Sequence, residues 1–514
     1  MQDNKNNNMI KHAFMMMAGT SMSRILGLVR EIVVAAFFGA SKSMDAFNIA
    51  YTLSNLARQL LAEGALSAAF VPIFSQALTK DRNKALKLAR SSMTVFLFLT
   101  GCVVILGIIF APALVNIMAP GFDEANKILS TGLTRWMFPF LIFISMEALT
   151  MGELNSLGSF FVPALSPAFS NLVFIISAPF FAGYLGVYGL ALSVLCGGAA
   201  HFLTQWIYSI KMKAFLYPVK PDFKNPDLKK ILKLFLPYAA GLSLNQVNPV
   251  ISRMLGSFLE AGSISVLNYS NRILQLPLGL FVIAISQAVL PQLSRVKNNE
   301  EFTEILRQAI NFALFVVLPA SLGVILISNS FVHLIFVRGQ FNKWAWEATS
   351  SCLAYSMLGL PGMACSTVVM RALYALSMSK EAFKVTLFSV ISTAIFSIIL
   401  IYPMGYNGLA LAPGIAFTLS GLLGLFYVKR KIGINLNLIS RSHFIKYILA
   451  LIIIIISVST FKFFWSYNSE AKLLIRALWV FSIIFFSAVT YSIFTFTAKF
   501  PEWLWIREAF SKRT

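Results

Sequence analysis

Charged residues are scarce in this chain, and acidic residues are the scarcest of them. Of its 514 residues, 12% are charged, with 20 Asp and Glu against 42 Lys and Arg. A soluble domain carries about 25% charged residues. Hydrophobic residues make up 58% of the chain, and apolar runs recur from end to end. This composition excludes a soluble globular protein and predicts an all-α polytopic membrane protein.

Cysteine and histidine are almost as rare. The four cysteines and four histidines are scattered, and no pair has the spacing of a zinc site or a redox motif. The sequence also lacks a Walker-A loop, an HExxH motif, a DxD-type cluster and a recognisable nucleophile–base pair. No basic run is interleaved with aromatic residues on a polar domain. We therefore expect no catalytic residue, no metal, no cofactor and no nucleic-acid partner.

Apolar segments long enough to cross a bilayer fill the chain. At 1.5 Å per residue, about 20 helical residues span the hydrocarbon core. The polar N-terminus leads into a segment with two arginines, which is a poor signal peptide, so we expect no cleavage. Pro72 and Pro291 lie near the ends of two segments and are expected to bend or stop those helices. We predict fourteen spans, at 10–38, 46–77, 91–118, 130–152, 160–182, 186–210, 234–258, 263–293, 309–335, 346–376, 383–402, 406–428, 445–466 and 473–497.

The net charge of +22 is unevenly distributed along these spans. With the N-terminus inside, 28 of the 42 lysines and arginines fall in inner segments, eight fall in outer segments, and six fall inside spans or near their ends. Cytoplasmic loops carry such an excess of basic residues. The sequence therefore predicts an even number of crossings with both termini in the cytoplasm.

A short internal repeat divides the chain. The motif FVPIFSQ at 70–76 matches VLPQLSR at 289–295, and Ser43 and Asn48 match Ser263 and Asn268. An even number of spans separates the copies, which predicts parallel repeats. We expect two pseudo-symmetric six-helix lobes, two added helices and a tail, at 1–215, 216–435, 436–500 and 501–514.

Four arginines lie inside predicted spans: Arg24, Arg30, Arg58 and Arg272. A charge at bilayer depth costs at least about 2.5 kcal/mol and normally faces a wet cavity or a partner. Arginine stays charged, and its planar fork suits phosphate. The pattern predicts a cationic interior pocket for an anionic, phosphate-bearing ligand.

Polar neighbours of these arginines are candidate site residues. On span 1, Arg24 and Glu31 are seven residues apart and nearly eclipsed, as are Ser23 and Arg30, so Glu31 is expected to neutralise part of the Arg24 charge. A wide cavity or a bend near Gly27 would let both arginines face one space.

Span 2 carries a polar stripe. It consists of Asn55, Gln59 and Glu63, which are spaced by four residues, with Arg58 beside them. These side chains either contact a ligand or pack against another helix. Asp45, just before this stripe, is either an outer gate residue or a helix cap.

On span 8, Asn271 precedes Arg272 about ten residues into the span, too deep to snorkel to the interface. Arg253 lies near the outer end of span 7, where we expect it to snorkel or to pair with Glu260.

Together these residues resemble one family, the lipid II flippase MurJ (MviN) family of the multidrug/oligosaccharidyl-lipid/polysaccharide exporter superfamily. The resemblance covers spans 1–12 in order. It is carried by SRILGLVRE at 23–31, FGA at 38–40, DAF at 45–47, NLAR at 55–58, AEGA at 62–65, FVPI at 70–73, NR at 271–272, LPLGL at 276–280 and RALYAL at 371–376.

The resemblance implies a fold, a substrate and site residues. It implies two six-helix lobes around a cationic cavity, with the helices of 436–500 forming a groove for a lipid tail. The four arginines would hold the pyrophosphate of lipid II, an undecaprenyl-pyrophosphate disaccharide-pentapeptide, and Asp45 and Glu63 match further functional positions. Flipping from the inner to the outer leaflet of the bacterial cytoplasmic membrane would supply peptidoglycan synthesis, with membrane lipids and peptidoglycan synthases as partners.

One departure from the family concerns its sodium site. Some members coordinate sodium with acidic residues on spans 7 and 11, where this chain has Ser252 and Met378. We therefore expect no sodium site of that kind, and a drive from the membrane potential, which acts on each substrate charge with about 2.3 kcal/mol per 100 mV.

Other functions compete with this one. An exporter of another polyprenyl-linked glycan would use a similar pocket. A cationic-drug antiporter would instead need acidic residues there to bind its positively charged substrate. A non-transporting scaffold could bind lipid intermediates for partner synthases. A membrane glycosyltransferase is disfavoured because metal-binding carboxylates and a large outer loop are missing.

Overall fold

The computed structural model describes residues 2–60, 65–243, 246–296, 298–433 and 440–511. Within these ranges the regular structure is helical, without a β-strand. The α-helices are α1 (Gln2–Phe38), α2 (Lys42–Arg58), α3 (Ala65–Lys80), α4 (Arg82–Ile109), α5 (Ala111–Met118), α6 (Glu124–Met137), α7 (Phe140–Ser156), α8 (Phe161–Leu185), α9 (Val187–Lys211), α10 (Pro226–Ser243), α11 (Val247–Gly256), α12 (Ser263–Pro277), α13 (Ala284–Arg295), α14 (Asn299–Phe336), α15 (Lys343–Leu358), α16 (Leu360–Ala375), α17 (Ser379–Met404), α18 (Tyr406–Ile432), α19 (Arg441–Phe464), α20 (Leu473–Thr497) and α21 (Glu502–Ser511).

Ten of the helical segments in the described ranges are long and apolar enough to cross a membrane, or eleven if the bent pair α15–α16 is one span. The all-α membrane fold is therefore confirmed. The three other predicted spans fall on α1, which carries two arginines and a glutamate, and on α2–α3 and α10–α11, each pair separated by undescribed residues. The count of fourteen is consistent with these helices.

The two prolines do not end their helices, so of the two expected effects, a bend or a stop, the stop was wrong. Pro72 lies inside α3 and Pro291 inside α13. A proline removes one backbone hydrogen bond, but a break in hydrocarbon would leave several polar backbone groups unsatisfied. The irregularity of the eighth span lies earlier, where the π-helical segment Leu278–Ile283 follows Pro277.

Backbone turns repeat along the chain at the period that the sequence motifs predict. Three pairs of residues with positive φ are 219 or 220 positions apart: Gly158 and Ser377, Gly186 and Gly405, and Lys213 and Gly433. Gly186 and Gly405 share nearly the same conformation, with φ/ψ of 56°/−134° and 55°/−130°. Each of these two glycines joins a pair of long helices. Matching turns between matching helices support the two pseudo-symmetric lobes.

The chain divides into two compact units. The first comprises Met1–Ser265 and Arg338–Phe341, and the second comprises Val266–Val337 and Asn342–Thr514. In the first unit, a core that includes Phe70, Phe74 and Phe96 joins α1–α4 with α6–α10. The short segment Arg338–Phe341 is tied to this unit because the Gln340 amide donates to the Ala36 carbonyl over 2.9 Å.

Large apolar side chains cover the outside of both units. Exposed examples occur along the helices of each one, among them Phe98, Ile176, Phe180, Ile399 and Phe485. Contiguous apolar surface of this kind is rare on soluble proteins. With the spans above, it identifies a multi-pass membrane protein.

The last helix, α21, docks on the second unit through a buried carboxylate. Glu502 is fully buried, and its Oε1 atom lies 2.9 Å from both His443 Nε2 and the Tyr447 hydroxyl of α19. Lys446 of the same helix donates to the Ala498 carbonyl over 2.8 Å. The sequence predicted a tail at 501–514 but not this anchorage.

Replacing Glu502 with Ala should release α21. The substitution leaves His443 Nε2 without its acceptor and removes one of the two acceptors of the Tyr447 hydroxyl, the other being the Asn311 carbonyl, at a cost of about 2 kcal/mol. We expect trypsin to cut after the exposed Arg507 faster than in the wild type, measured by mass spectrometry in detergent. Glu470→Ala, at an exposed loop position, should leave the cleavage rate unchanged, and equal rates in both variants would contradict the anchorage.

Candidate functional site

Arg30 is held against two aromatic rings in the first unit. Its guanidinium carbon lies 5.7 Å from the ring centroid of Tyr51 on α2 and 5.3 Å from that of Phe174 on α8. Its Nη2 atom lies 2.9 Å from Glu31 Oε1. Cation–π contacts of this kind are worth up to about 2 kcal/mol when the cation is desolvated. Arg30 is therefore a fixed, partly compensated charge.

Glu31 pairs with Arg30 and not with Arg24, so the expected pairing was wrong. Arg24 and Glu31 share a helix face, but seven residues separate them by about 10 Å along the axis, beyond the reach of an ion pair. Arg24 is exposed and makes no hydrogen bond or ion pair with a described residue. Its neighbour Ser23 accepts a hydrogen bond through its backbone carbonyl from Asn171 Nδ2 over 3.1 Å.

The polar stripe of span 2 is partly described. Arg58 Nε donates to Asn55 Oδ1 over 2.8 Å, and both side chains are half-buried. This contact fixes the guanidinium at the end of α2, next to Gln59. Glu63, the other acid of the stripe, lies outside the described residues.

Asp45 is a buried acceptor for backbone groups at the beginning of α12. Its carboxylate receives hydrogen bonds from the Gly262 amide at 2.7 Å, the Ser265 amide at 2.8 Å and the Ser265 hydroxyl at 2.6 Å. It does not cap its own helix, because Ser41 caps α2 through the Met44 amide. Since Asp45 and its donors belong to the first unit, the carboxylate ties distant parts of that unit together.

Arg253 lies beside this contact. Its Nη1 atom donates to the Ile264 carbonyl over 3.2 Å, and its Nε donates to the Thr52 hydroxyl over 3.4 Å. The guanidinium therefore points into the unit, and the expected snorkelling or pairing with the exposed Glu260 was wrong. The reason is local: the first turn of α12 presents a carbonyl within reach.

In the second unit, Asn271 is exposed and Arg272 is half-buried on α12. Neither side chain has a hydrogen bond or an ion pair within the described ranges. The structure thus pairs Arg30 with Glu31 on α1 and Arg58 with Asn55 on α2, whereas Arg272 belongs to the other unit. Ser252 and Met378, the departures from the family sodium site, lie in α11 and just before α17.

Sequence reasoning missed the aromatic partners of Arg30. The chain holds 47 phenylalanines and 15 tyrosines, so nothing in the local sequence distinguishes Tyr51 and Phe174 from the others. One usable signal was the position of Tyr51, four residues before Asn55 and therefore on the same helix face.

An apolar cavity of about 580 Å³ lies in the second unit. Helices α12, α14, α19 and α20 and the π-helical segment form its wall, and Phe281, Val324, Val458 and Ile483 are among the lining residues. Gly323 also lines it, and a Cβ atom added there would meet nothing within 4 Å. The cavity can take an apolar ligand such as an acyl or prenyl chain.

Comparison with solved structures defines the class of fold. An inward-facing multidrug resistance MATE family transporter of the MOP superfamily superposes with a TM-score of 0.64 at 17% identity, covering 82% of this chain and 98% of that one. A lipid II flippase MurJ in an inward closed conformation superposes with a TM-score of 0.78 at 29% identity, covering 94% and 98%. The fold is that of a MOP-type transporter.

Sequence comparison gives the family. The family profile described as lipid II flippase MurJ matches residues 34–478. A probable lipid II flippase MurJ from Vibrio cholerae is 34% identical over 448 residues, covering 82% of this chain and 85% of the relative. The corresponding protein of Buchnera aphidicola subsp. Schizaphis graminum is 30% identical over 485 residues, covering 92% and 94%. The chain belongs to the lipid II flippase MurJ family.

Replacing Asp45 with Ala should destabilise the first unit. The substitution removes the acceptor of three buried donors, and we expect a loss of about 3 kcal/mol in the free energy of unfolding. Asp81→Ala, which removes the exposed cap of α4, should cost about 1 kcal/mol. Thermal unfolding in detergent measures both, and equal losses would show that the Asp45 contacts are unimportant.

Proposed function

We propose that this protein flips lipid II from the inner to the outer leaflet of the bacterial cytoplasmic membrane. The observation that carries this proposal is the match to lipid II flippases along residues 34–478, together with the fold of a transporter. Solved MATE relatives with the same fold adopt inward-facing and outward-facing conformations, which supports alternating access. A flippase of this kind is a transporter and not an enzyme.

The four span arginines are proposed to receive the pyrophosphate of the headgroup. Glu31 offsets the charge of Arg30, so Arg30 should attract the pyrophosphate less strongly than Arg24 does. Arg24 is exposed. Arg58 and Arg272 add charge from α2 and α12. A moderate net charge suits transport, because the headgroup must be released as well as bound.

The polar neighbours have supporting roles in this proposal. Asn55 orients Arg58, and Asn271 sits next to Arg272 on an exposed face. Ser23 lies beside Arg24, and Asp45 holds the beginning of α12 in place. Glu63 is proposed to temper the affinity of the cationic site, as the sequence suggested.

The apolar cavity is the proposed site for the prenyl tail. Its wall includes α19 and α20, within the predicted segment 436–500, and its lining is almost wholly apolar. Each buried CH₂ group contributes about 0.8 kcal/mol, so the tail can remain in an apolar environment while the headgroup crosses. In this proposal α12 contributes both Arg272 to the headgroup site and part of the cavity wall.

Both termini are proposed to be cytoplasmic, because the basic residues concentrate in the segments that this orientation puts inside. The membrane potential then provides a drive. It acts on a doubly charged pyrophosphate with about 2.3 kcal/mol per charge per 100 mV.

Two rivals make different predictions in vesicles that contain only this protein. A flippase moves the headgroup of added lipid II across the bilayer, as read by accessibility to an external modifying enzyme. A scaffold binds lipid II without moving it, and an exporter of another glycan moves its own polyprenyl-linked substrate faster. No movement of lipid II by the active, folded protein would contradict the proposal.

Substituting Arg58 or Arg272 with Ala should abolish flipping while leaving membrane insertion intact. Each substitution removes a charge-assisted phosphate contact, worth about 1.5–3 kcal/mol. The measurement is complementation of a flippase-depleted strain, with protein levels checked by immunoblot. Arg135→Ala on α6, outside the cationic group, should complement fully. Full complementation by Arg272→Ala would refute its role.

Filling the cavity should block the tail without harming the fold. Gly323→Leu adds a side chain to open cavity space, and we expect the flipping rate to fall about tenfold, equivalent to about 1.4 kcal/mol. Gly183→Leu on α8 is the matched control, because a Cβ atom there also meets nothing within 4 Å. If both variants flip lipid II at the wild-type rate, the cavity does not hold the tail.

A further inference from the structure

A polar cluster is buried between α7, α8 and α9 in the first unit. It comprises Glu147, Ser166, His201 and Gln205. Glu147 is 4% exposed, and Ser166 and Gln205 are fully buried. Acids and histidines inside membrane spans are costly and mark ion or proton pathways when they occur together.

Hydrogen bonds fix the orientation of this cluster. The Ser166 hydroxyl donates to the Pro163 carbonyl over 3.0 Å, so it accepts from Gln205 Nε2 at 2.7 Å. The same nitrogen lies 2.6 Å from Glu147 Oε1. The Gln205 amide therefore turns its nitrogen to two acceptors, and its Oε1 atom has no hydrogen-bond partner among the described residues.

His201 stands close to the carboxylate without a hydrogen bond. Its Nε2 atom is buried, lies 3.5 Å from Glu147 Oε1 and lacks a hydrogen-bond partner in the described chain. In the neutral tautomer with its proton on Nδ1, the bare Nε2 atom and the Glu147 carboxylate are two acceptors that face each other in a low-dielectric environment. A second proton, added at Nε2, makes the ring an imidazolium that donates to the carboxylate, and the pair becomes a hydrogen-bonded ion pair.

We propose that Glu147 and His201 form a binding site for one proton within the N-terminal unit. The proton comes from water and adds to His201 Nε2, and Glu147 Oε1 accepts the resulting hydrogen bond. Occupancy changes the packing energy of α7 against α9, because an uncompensated buried carboxylate is strongly destabilising and a compensated one is not. The site thereby regulates the conformational cycle of transport.

Other ionisable groups on the surrounding helices have contacts of their own. On α1, Arg30 pairs with Glu31. On α2, Arg58 donates to an amide oxygen of its own helix, and Asp45 accepts from backbone amides. On α4, Arg90 donates to a carbonyl of the segment after α9.

The remaining charged or titratable neighbours do not form an equivalent site. Lys80, Tyr184 and Lys211 lie at the ends of α3, α8 and α9, and Arg135 of α6 contacts a carbonyl of α4. Glu153, the second acid of α7, is fully buried, but neither of its carboxylate oxygens has a hydrogen-bond partner among the described residues. It lacks the adjacent histidine that makes Glu147 part of a pair.

Infrared difference spectra test proton binding directly. Spectra of the reconstituted protein at acidic and neutral pH, without lipid II, should contain carboxylate and imidazole bands that disappear in both Glu147→Gln and His201→Gln. Ser166→Ala, which removes a hydrogen bond of the cluster but no titratable group, should keep these bands. If Glu147→Gln does not accumulate, His201→Gln carries the test, because it removes the other half of the pair.

The transport readout rests on the proposed flippase function. Wild-type flipping of lipid II in vesicles should vary about fivefold across roughly pH 5 to 8, the range in which histidine changes charge. Glu147→Gln and His201→Gln should flatten this profile, whereas Ser166→Ala should keep its shape. A merely structural cluster would lower all rates and leave every profile parallel to that of the wild type.

The possible failures are distinguishable. A wild-type protein that binds the proton in infrared spectra but moves no lipid II would overturn the proposed function and leave the proton site standing. Unchanged bands in both Glu147→Gln and His201→Gln, or bands lost only in Glu153→Gln, would overturn the proton site and leave the flippase function untouched.

Discussion

The compensation of charge at bilayer depth is the constraint on which the rest of this structure depends. A guanidinium in hydrocarbon is expensive unless an anion, an aromatic face or water meets it. Arg30 has Glu31, Tyr51 and Phe174, whereas Arg24 is exposed. Part of the positive charge is thus compensated within the fold, and part of it is available to bind an anion. We propose that a ligand with two phosphates binds to the arginines that the fold leaves available.

The same constraint requires different environments for the two ends of the substrate, the phosphate headgroup and the prenyl tail. A phosphate needs donors and water, and a prenyl chain needs neither. Three of the four arginines lie on α1 and α2 of the first unit, and Arg272 lies on α12 of the second unit, where α12, α14, α19 and α20 surround the apolar cavity. Asp45 illustrates how the scaffold itself is held, since one buried carboxylate satisfies three donors more than 200 residues away.

Much of the fold could be predicted because span length and periodicity are local properties. Long apolar runs gave the helices, and the repeated motif at 70 and 289 gave the period that the paired turns at Gly186 and Gly405 display. Other features depend on distance along an axis or across the fold. Periodicity placed Arg24 and Glu31 on one face but ignored their axial separation. The partners of Asp45 and the cluster around Glu147 come from distant segments, so no local sequence pattern could predict them.

Native mass spectrometry of the purified protein tests the central claim most directly, because it identifies the anion that the available positive charge selects. The account predicts a co-purified polyprenyl-pyrophosphate glycopeptide that is lost when Arg24, Arg58 or Arg272 is replaced by a neutral residue. Co-purification of phospholipids alone, or of a lipid retained equally by all of these variants, would contradict it.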